Sequence, residues 1–494
     1  MKNGEIRILL IYPPSEAQNH AVCPAGLMML GSVLENAGYC VRLLDANARG
    51  NKRSTAAIVQ FAAEFKPHIT GITLLTPLIR QAYALVPDLK KTGAKLLAGG
   101  PHATILPEEA LDHGFDAVLT GEGEYTVLEA VAALLGKRPM NEVSGFCYRD
   151  ETGAYIQTAS SPVLADLDLL PFPARHLTDP DDYAPSENLA LIFSSRGCPA
   201  RCAYCSGSLF GKKFRFRSAQ NVLAEIAYLN TTYGYTHFHF VDDAMTMDKE
   251  RIKDICAGLK QYSTQITWSM MTRIDAVDEA LLLLASESGC RSIDYGVESG
   301  DPDTLKKIHK PHTIEMVKNT VRQTKESGIN PNVFFILGFP WEGCKELEMT
   351  KALMVELTPY VETFHPAVAS ILIPFPGTEL YEIYKDEYDL ECWWLTGDRN
   401  YGIPKIGTHS YYETKLFAVG AVLEADFFYY SPDMRAKIIE IFTFMFMHNL
   451  KQERLLPRLL NVALFNISKG LDSVTPKLER LTFSSLMSLK KLLR

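Results

Sequence analysis

Three cysteines, Cys198, Cys202 and Cys205, stand within eight residues in the spacing Cys-x-x-x-Cys-x-x-Cys. Thiolates are soft ligands suited to iron–sulfur clusters. Three of them on one short loop can hold three irons of a four-iron cube and leave the fourth open to a further ligand. A structural zinc site would need a fourth protein ligand. Cys147, Cys256 or Cys290 could supply one, but nothing in their spacing says so. Gly197 and Pro199 shape the loop, and Tyr204 directly precedes the last thiol. Arg196, Arg201 and the basic run at 212–217 bring positive charge nearby. That charge can favour an anionic cluster, reach a phosphate on a cofactor or substrate, or be an ordinary solvated surface.

A second group of chemistry-bearing residues recurs where strands are expected to end. Asp242 and Asp243 form one such turn and Arg273 another. Gly296-Val297-Glu298-Ser299-Gly300 is a third, Gly338 and Pro340 with Glu342 nearby a fourth, and 374–378 (Pro-Phe-Pro-Gly-Thr) a fifth. Singly each reads as a turn. Together, at the ends of consecutive strands, they fall where barrel enzymes carry their sites. Nearer the N terminus, Gly99-Gly100 and Gly121-x-Gly123 either admit a ligand close to the backbone or make tight turns. No GxGxxG follows the first strand, which argues against a nicotinamide dinucleotide.

The elements that must position these residues alternate strand and helix. Over 1–150, apolar runs at 6–11, 41–44, 69–75, 95–98 and 117–119 read as strands, with helices at 24–37, 56–65, 78–90 and 124–135 between or after them. This spacing predicts an α/β, doubly wound, Rossmann-like parallel sheet, whose ligands lie beyond the carboxyl ends of its strands. Residues 151–188, with Pro162, Pro171, Pro173, Pro180 and Pro185, read as a linker. Over 189–385 the alternation resumes, with strands at 189–193, 237–241, 266–270, 292–295, 332–337 and 368–373. Six strands with intervening helices predict a partial (β/α)6 barrel. Residues 386–494 read as a mainly helical C-terminal domain, with helices at 413–428, 434–449, 454–467 and 477–493. The Ile-, Phe- and Met-rich stretch 439–447 reads as a cap packed on the barrel. A pocket for an apolar substrate or a surface touching membrane are the sharper alternatives.

The cysteine loop resembles that of the radical S-adenosylmethionine (SAM) superfamily, and the likeness extends over roughly 190–380. The preceding segment resembles the cobalamin-binding domain found ahead of many radical SAM domains. It carries Pro13-Pro14, Pro24-Ala25-Gly26-Leu27 with Leu30, Gly99-Gly100-Pro101-His102-Ala103 and Gly121-Glu122-Gly123-Glu124. Ala200 departs from the aromatic often found at its position in the superfamily. The resemblance implies a [4Fe–4S] cluster on Cys198, Cys202 and Cys205 that binds SAM and cleaves it reductively. It places Tyr204 near the adenine, Glu298 and Ser299 at the ribose and amino-acid part, and Arg273 near the carboxylate. Gly338 and Pro340 would shape the turn beside the adenine, and Asp242 and Asp243 would point toward the cofactor and substrate chamber.

The same resemblance implies bound cobalamin. Its tail would insert beside Thr73 and the Gly99-Gly100 turn, and its lower face would meet the 74–78 loop, which includes Leu75. Gly121, Glu122 and Gly123 belong to the same site, and His102 is assigned to loop structure or tail contacts. Residues 45–50 (Asp-Ala-Asn-Ala-Arg-Gly) hold Asn47 where other cobalamin modules place a histidine on cobalt. Cobalt without a protein histidine is therefore expected. A bare lower face eases formation of cobalt(I), the state that accepts a methyl cation from SAM.

The expected function is methylation of an unactivated carbon of a small biosynthetic intermediate, which could be apolar, using two SAM molecules by way of methylcobalamin. Radical cyclisation or rearrangement without net methyl transfer is the enzymatic rival. A cobalamin-responsive binding protein is the non-enzymatic one. A low-potential electron donor such as flavodoxin or ferredoxin would reduce the cluster. With 58 acidic against 50 basic side chains and a net charge of -8, no nucleic-acid partner is expected. The first residues show no secretory signal, and no apolar run reaches the ~18 residues of a membrane span. A cytoplasmic location is expected.

Overall fold

The computed structural model of the 494-residue chain describes residues 3–15, 23–48, 54–179, 182–183, 188–207, 211–262, 265–365, 371–396 and 427–450. The first sheet contains β1 (Arg7–Tyr12), β2 (Cys40–Asp45), β3 (Ile69–Thr73), β4 (Lys95–Gly99), β5 (Ala117–Leu119), β6 (Phe146–Arg149) and β7 (Tyr155–Gln157). Their order is β2-β1-β3-β4-β5-β6-β7. The first five pair in parallel and the last two run antiparallel. Strands β1 and β3 flank the point where the order reverses, where doubly wound sheets bind ligands. The hairpin β6–β7 was not among the strands expected. Its turn is made by Asp150, whose Oδ1 accepts from the N–H of Thr152 at 2.8 Å and of Ala154 at 3.0 Å.

The second sheet contains β8 (Leu189–Ile192), then, beyond a ribbon of β9 (Ser195–Arg196) and β10 (Arg215–Phe216), β11 (His237–Phe240), β12 (Thr267–Thr272), β13 (Cys290–Glu298), β14 (Asn330–Phe335) and β15 (Thr363–His365). Six of these form an all-parallel sheet ordered β15-β14-β13-β12-β11-β8. This is the partial barrel. Phe238, Phe240, Trp268, Ile293, Tyr295, Val333, Phe335 and Phe364 are fully buried beneath the helices. The alternate positions, including His239, Asp294, Asn332 and His365, are only half-buried. Period-two alternation sends them to the concave side.

The sixth strand begins earlier than expected, at Thr363. Residues 368–370 of the expected strand lie outside the described residues, and Ile371 still bridges to Leu337 in parallel. The helix Pro432–Leu450 covers the edge strand β15. Asn449 imitates a further strand there, accepting from Phe364 N at 3.0 Å and donating to Phe364 O at 2.6 Å. Ile438, Ile441, Phe442 and Met445 are buried in this contact, so the apolar stretch belongs to a cap. The expected helices at 454–467 and 477–493 lie outside the described residues, as does most of that at 413–428.

Candidate functional site

The cysteine loop hangs from the turn of the β9–β10 ribbon. Its start is fixed by Asp242, whose Oδ1 accepts from the N–H groups of Ser194 at 2.6 Å and Ser195 at 3.1 Å. Gly197 adopts φ 80°, and a Cβ there would lie 2.5 Å from Lys213 O, so only glycine allows this approach. Ala203 pins the loop to the barrel, donating to Ile308 O at 3.2 Å and accepting from Leu380 N at 2.9 Å. Cys205 N closes on Cys202 O at 3.1 Å, and Gly207 N donates to Cys205 Sγ at 3.2 Å. Cys198, Cys202 and Cys205 are free thiols, and burial raises the pKa of Cys202 and Cys205. Among the described residues no three His, Cys, Asp or Glu side chains converge on a single ion. A four-iron cube spreads its thiolates over separate irons, and three soft donors on one glycine-hinged loop fit that demand.

Behind the loop, Tyr204 and Lys310 meet on one carboxylate. Tyr204 OH donates to Glu298 Oε1 at 2.8 Å and Lys310 Nζ donates to the same oxygen at 2.9 Å. The ammonium also lies 5.8 Å from the Tyr204 ring centroid. Glu298 has φ 71° at an irregularity in the β13–β14 register, a strained conformation that functional sites tend to retain. Burial opposes the charge on Lys310, but the Glu298 carboxylate together with the field of Cys202 outweighs it, raising the pKa. Lys310 was not foreseen from the sequence. It sits in a loop, and only the fold carries it to Glu298.

The remaining candidates separate into those that face the site and those that support it. Arg273 is held by Asp275 through two contacts of 2.9 and 2.7 Å and lies beside Cys198. Ser299 is fully buried; its Oγ lies 3.2 Å from Thr350 Oγ1 and accepts from Asp301 N at 3.1 Å, so it builds the turn. Gly338 takes φ 82°. Its N–H donates to Glu342 Oε2 at 2.8 Å and its carbonyl accepts from Tyr430 OH at 2.8 Å. Pro340 is half-buried between Phe339 and Trp341, whose rings stack at 5.3 Å. Asp242 does not point into a chamber: it is 2% exposed and bonded to the Ser194–Ser195 backbone. Asp243 is exposed and reaches the field of Cys205.

A cavity of about 370 Å³ opens between the first sheet and the barrel. Gly71, Thr73, Gly99 and Gly100 line it from the strand ends, and Gly121, Glu122, Gly123 and Glu124 from the loop after β5. Phe193, Ser195, Arg196, Val241 and Asp243 close it from the barrel side. Gly100 has φ 95°, and a Cβ there would sit 2.6 Å from Thr73 Oγ1. Leu75 is half-buried in the adjoining loop and is not among the lining residues. His102 is fully buried, with Nδ1 3.0 Å from Thr76 Oγ1 and Nε2 2.9 Å from Glu109 Oε1. Asn47 is also committed: its amide accepts from Ser15 N at 2.6 Å and donates to Pro13 O at 2.8 Å.

Three of the six basic residues near the cysteine loop are consumed by ion pairs. Arg196 meets Glu124 at 2.5 Å, Arg215 meets Glu122 at 2.5 Å and Arg217 meets Glu225 at 2.5 Å. These three are therefore neither a solvated surface nor free phosphate ligands.

Residues 19–131 match the model of the B12 binding domain, and residues 192–354 match that of the radical SAM superfamily. An uncharacterized methyltransferase of Pyrococcus horikoshii is 32% identical over 388 residues, which cover 76% of this chain and 83% of the relative. The chain belongs to the radical SAM superfamily. It is a radical SAM enzyme with an N-terminal B12-binding domain, and its cofactors are cobalamin, SAM and a [4Fe–4S] cluster. The cytidylyl-2-hydroxyethylphosphonate methyltransferase of Streptomyces wedmorensis is 30% identical, over 68% of this chain and 73% of that one. The radical SAM methyltransferase TsrM from Kitasatospora setae, solved with tryptophan and a SAM analogue, superposes with a TM-score of 0.64 at 19% identity. The superposition covers 77% of this radical SAM chain and 76% of TsrM and speaks to the fold.

Proposed function

We propose that this enzyme methylates an unactivated carbon of a small molecule. The observation that carries the reading is that the cavity of the B12-binding domain ends on Arg196, which directly precedes the Gly197-Cys198 start of the cysteine loop, and on Asp243, whose charge acts on Cys205. The sites for cobalamin and the cluster thus adjoin, and a substrate carbon placed between them is within reach of both. When bound, the cluster supplies the electron that cleaves SAM to a 5′-deoxyadenosyl radical, and cobalamin carries a methyl group drawn from a second SAM. The chain's own work is positioning and exclusion of water.

Cys198, Cys202 and Cys205 would hold the cluster. Tyr204, Glu298, Lys310 and Arg273 would orient SAM beside it, with Gly338 and Pro340 shaping the turn at the adenine. Thr73, Gly99, Gly100 and the 121–124 loop would take the cobalamin tail, and the loop containing Leu75 would face the cobalt from below. With His102 and Asn47 both bonded elsewhere, no protein histidine is assigned to cobalt. The units proposed are 1–150 for cobalamin, 151–188 as linker, 189–385 for the cluster and SAM, and 386–494 as cap. A flavodoxin- or ferredoxin-like donor would deliver the electron.

The substrate is better read as polar than apolar. Across the concave side, His239 Nδ1 lies 2.8 Å from Ser269 Oγ, and Asn332 donates to Asp294 Oδ1 at 2.8 Å. The imidazoles of His239 and His365 each stand 3.9 Å from the Asp294 carboxylate. Barrel interiors are ordinarily packed with branched apolar side chains, so a half-exposed polar row favours a substrate with hydrogen-bonding groups.

Anaerobically reconstituted enzyme given methyl-labelled SAM and candidate intermediates tests the reading. Label in the product is expected; an unlabelled cyclised or rearranged product would reject methylation. Formation of 5′-deoxyadenosine should vanish in Cys202→Ser. Its persistence there would remove the cysteine loop from the chemistry.

A further inference from the structure

The two arginines of the β9–β10 ribbon stand directly opposite each other. Arg196 and Arg215 are register partners, and like charges so placed in an antiparallel pair repel. Their side chains are 20% and 3% exposed, so water screens them poorly. The offsetting charge comes from far along the chain, in the loop after β5. Glu122 accepts from both terminal nitrogens of Arg215, at 2.9 and 2.5 Å, and stands 3.7 Å from Arg196. Glu124 accepts from Arg196 at 2.5 Å. Two carboxylates and two guanidiniums form one neutral knot, which is the condition for burying such charges. Burial works against the Glu122 charge, and its hydrogen bond to Arg215 with the field of both arginines holds its pKa below the usual range.

The position of this knot gives it more than a packing role. Its acidic half belongs to the loop that lines the cavity. Its basic half brackets the 197–214 loop, with Arg196 immediately before Gly197-Cys198. Any ligand that presses on or orders the 121–124 loop therefore acts on the hinge of the cysteine loop through rigid, short contacts.

We propose that Arg196 is a positioning residue that couples cavity occupancy to the cysteine loop: cobalamin bound against Glu122 and Glu124 fixes the ribbon and hence the placement of the three thiols. This rests on the functional reading above, because it takes cobalamin as the occupant. Removing the Glu124 charge leaves Arg196 opposing Arg215 with one carboxylate between them. The ribbon then loosens whether or not the cavity is filled.

Backbone hydrogen exchange of the cluster-loaded protein, with and without hydroxocobalamin, tests this. In the wild type, hydroxocobalamin should slow exchange of the ribbon amides at 195–197 and 214–217 about fivefold or more, the lower range of site-to-site coupling. In Glu124→Gln, compared at hydroxocobalamin concentrations raised until its absorbance shows the cavity filled, the protection of the ribbon should be lost. Arg196→Lys, which keeps the charge, should retain part of it. A ribbon equally exchangeable with and without bound hydroxocobalamin in the wild type overturns the proposal, as does full protection in Glu124→Gln. If Glu124→Gln does not fold, the wild type and Arg196→Lys still decide. A wild-type protein that takes up no cobalamin overturns the functional reading, and this coupling with it.

Discussion

Among single residues, Glu342 carries an unusual burden. Its carboxyl is buried, bonded to the Gly338 and Phe339 N–H groups through one oxygen, and burial pushes its pKa up to about 8. A carboxyl with a raised folded pKa binds its proton more tightly when folded. Its stabilising contribution is therefore complete below the ordinary 4.5 and is lost as pH rises through about 8. Glu342→Gln keeps an acceptor for both N–H groups and removes the titration. Thermal melts from pH 5 to pH 9 should flatten in the variant, and the wild type should lose a few kcal/mol across that range. Equal pH slopes in both proteins would refute this. Lys310 makes a comparable case. Lys310→Met strands the Glu298 carboxylate, which is 8% exposed, and should destabilise the fold by about 3–5 kcal/mol. The double variant with Glu298→Gln should recover most of that loss, as denaturant midpoints would show. The cysteines were legible in the sequence because their chemistry follows from type and local spacing. Lys310 and Tyr430 were not assigned roles, because each gains its role from a partner that only the folded chain brings near; Glu342 was placed beside the Gly338 turn, but its burial depends on the rest of the fold.

At the scale of elements, turns and edges decide how well the site is held. Gly197→Ala would force a side chain into φ 80° and toward the carbonyls of Lys213 and Gly211, at 2.5 and 2.9 Å. The ribbon must open to relieve this, so iron content after reconstitution should fall to less than about half that of the wild type. Normal iron loading would show that the hinge tolerates the change. Asn449→Ala exposes the N–H and C=O of Phe364 at the sheet edge and should cost about 1–3 kcal/mol. Faster exchange at 363–365 with a lower denaturant midpoint would confirm it. Most strands were legible from apolar runs and the spacing of helices between them. The hairpin Phe146–Gln157 was missed because its signal is a single Asx turn, and it straddles the boundary drawn between the first unit and the linker. The last barrel strand was misplaced because Thr363–His365 is short and carries only one buried apolar residue, Phe364.

For the molecule as a whole, strand–helix alternation announced two α/β units but not how they meet. That information lies in pairs such as Arg196–Glu124 and Arg215–Glu122, separated by 72 and 93 residues. No helix among the described residues is long and apolar enough to cross a membrane, and the units meet instead through ion pairs and a shared cavity. One contact spans further still. Trp394 donates its indole N–H to Glu109 Oε2 at 2.9 Å, across 285 residues, and packs edge-on against His102. On the ribosome, the two short helices that carry His102 and Glu109, Pro101–Ile105 and Pro107–Asp112, emerge long before residue 394 does. Until then the carboxylate lacks one of its three side-chain donors, and the indole's place beside His102 stands open to water. Nascent chains stalled short of residue 394 should thus be cut near 101–112 by a limiting protease, and chains stalled far enough beyond it to free Trp394 from the exit tunnel should resist. Completion of the cofactor domain would then be timed by translation, with a residue from beyond the barrel as its last part.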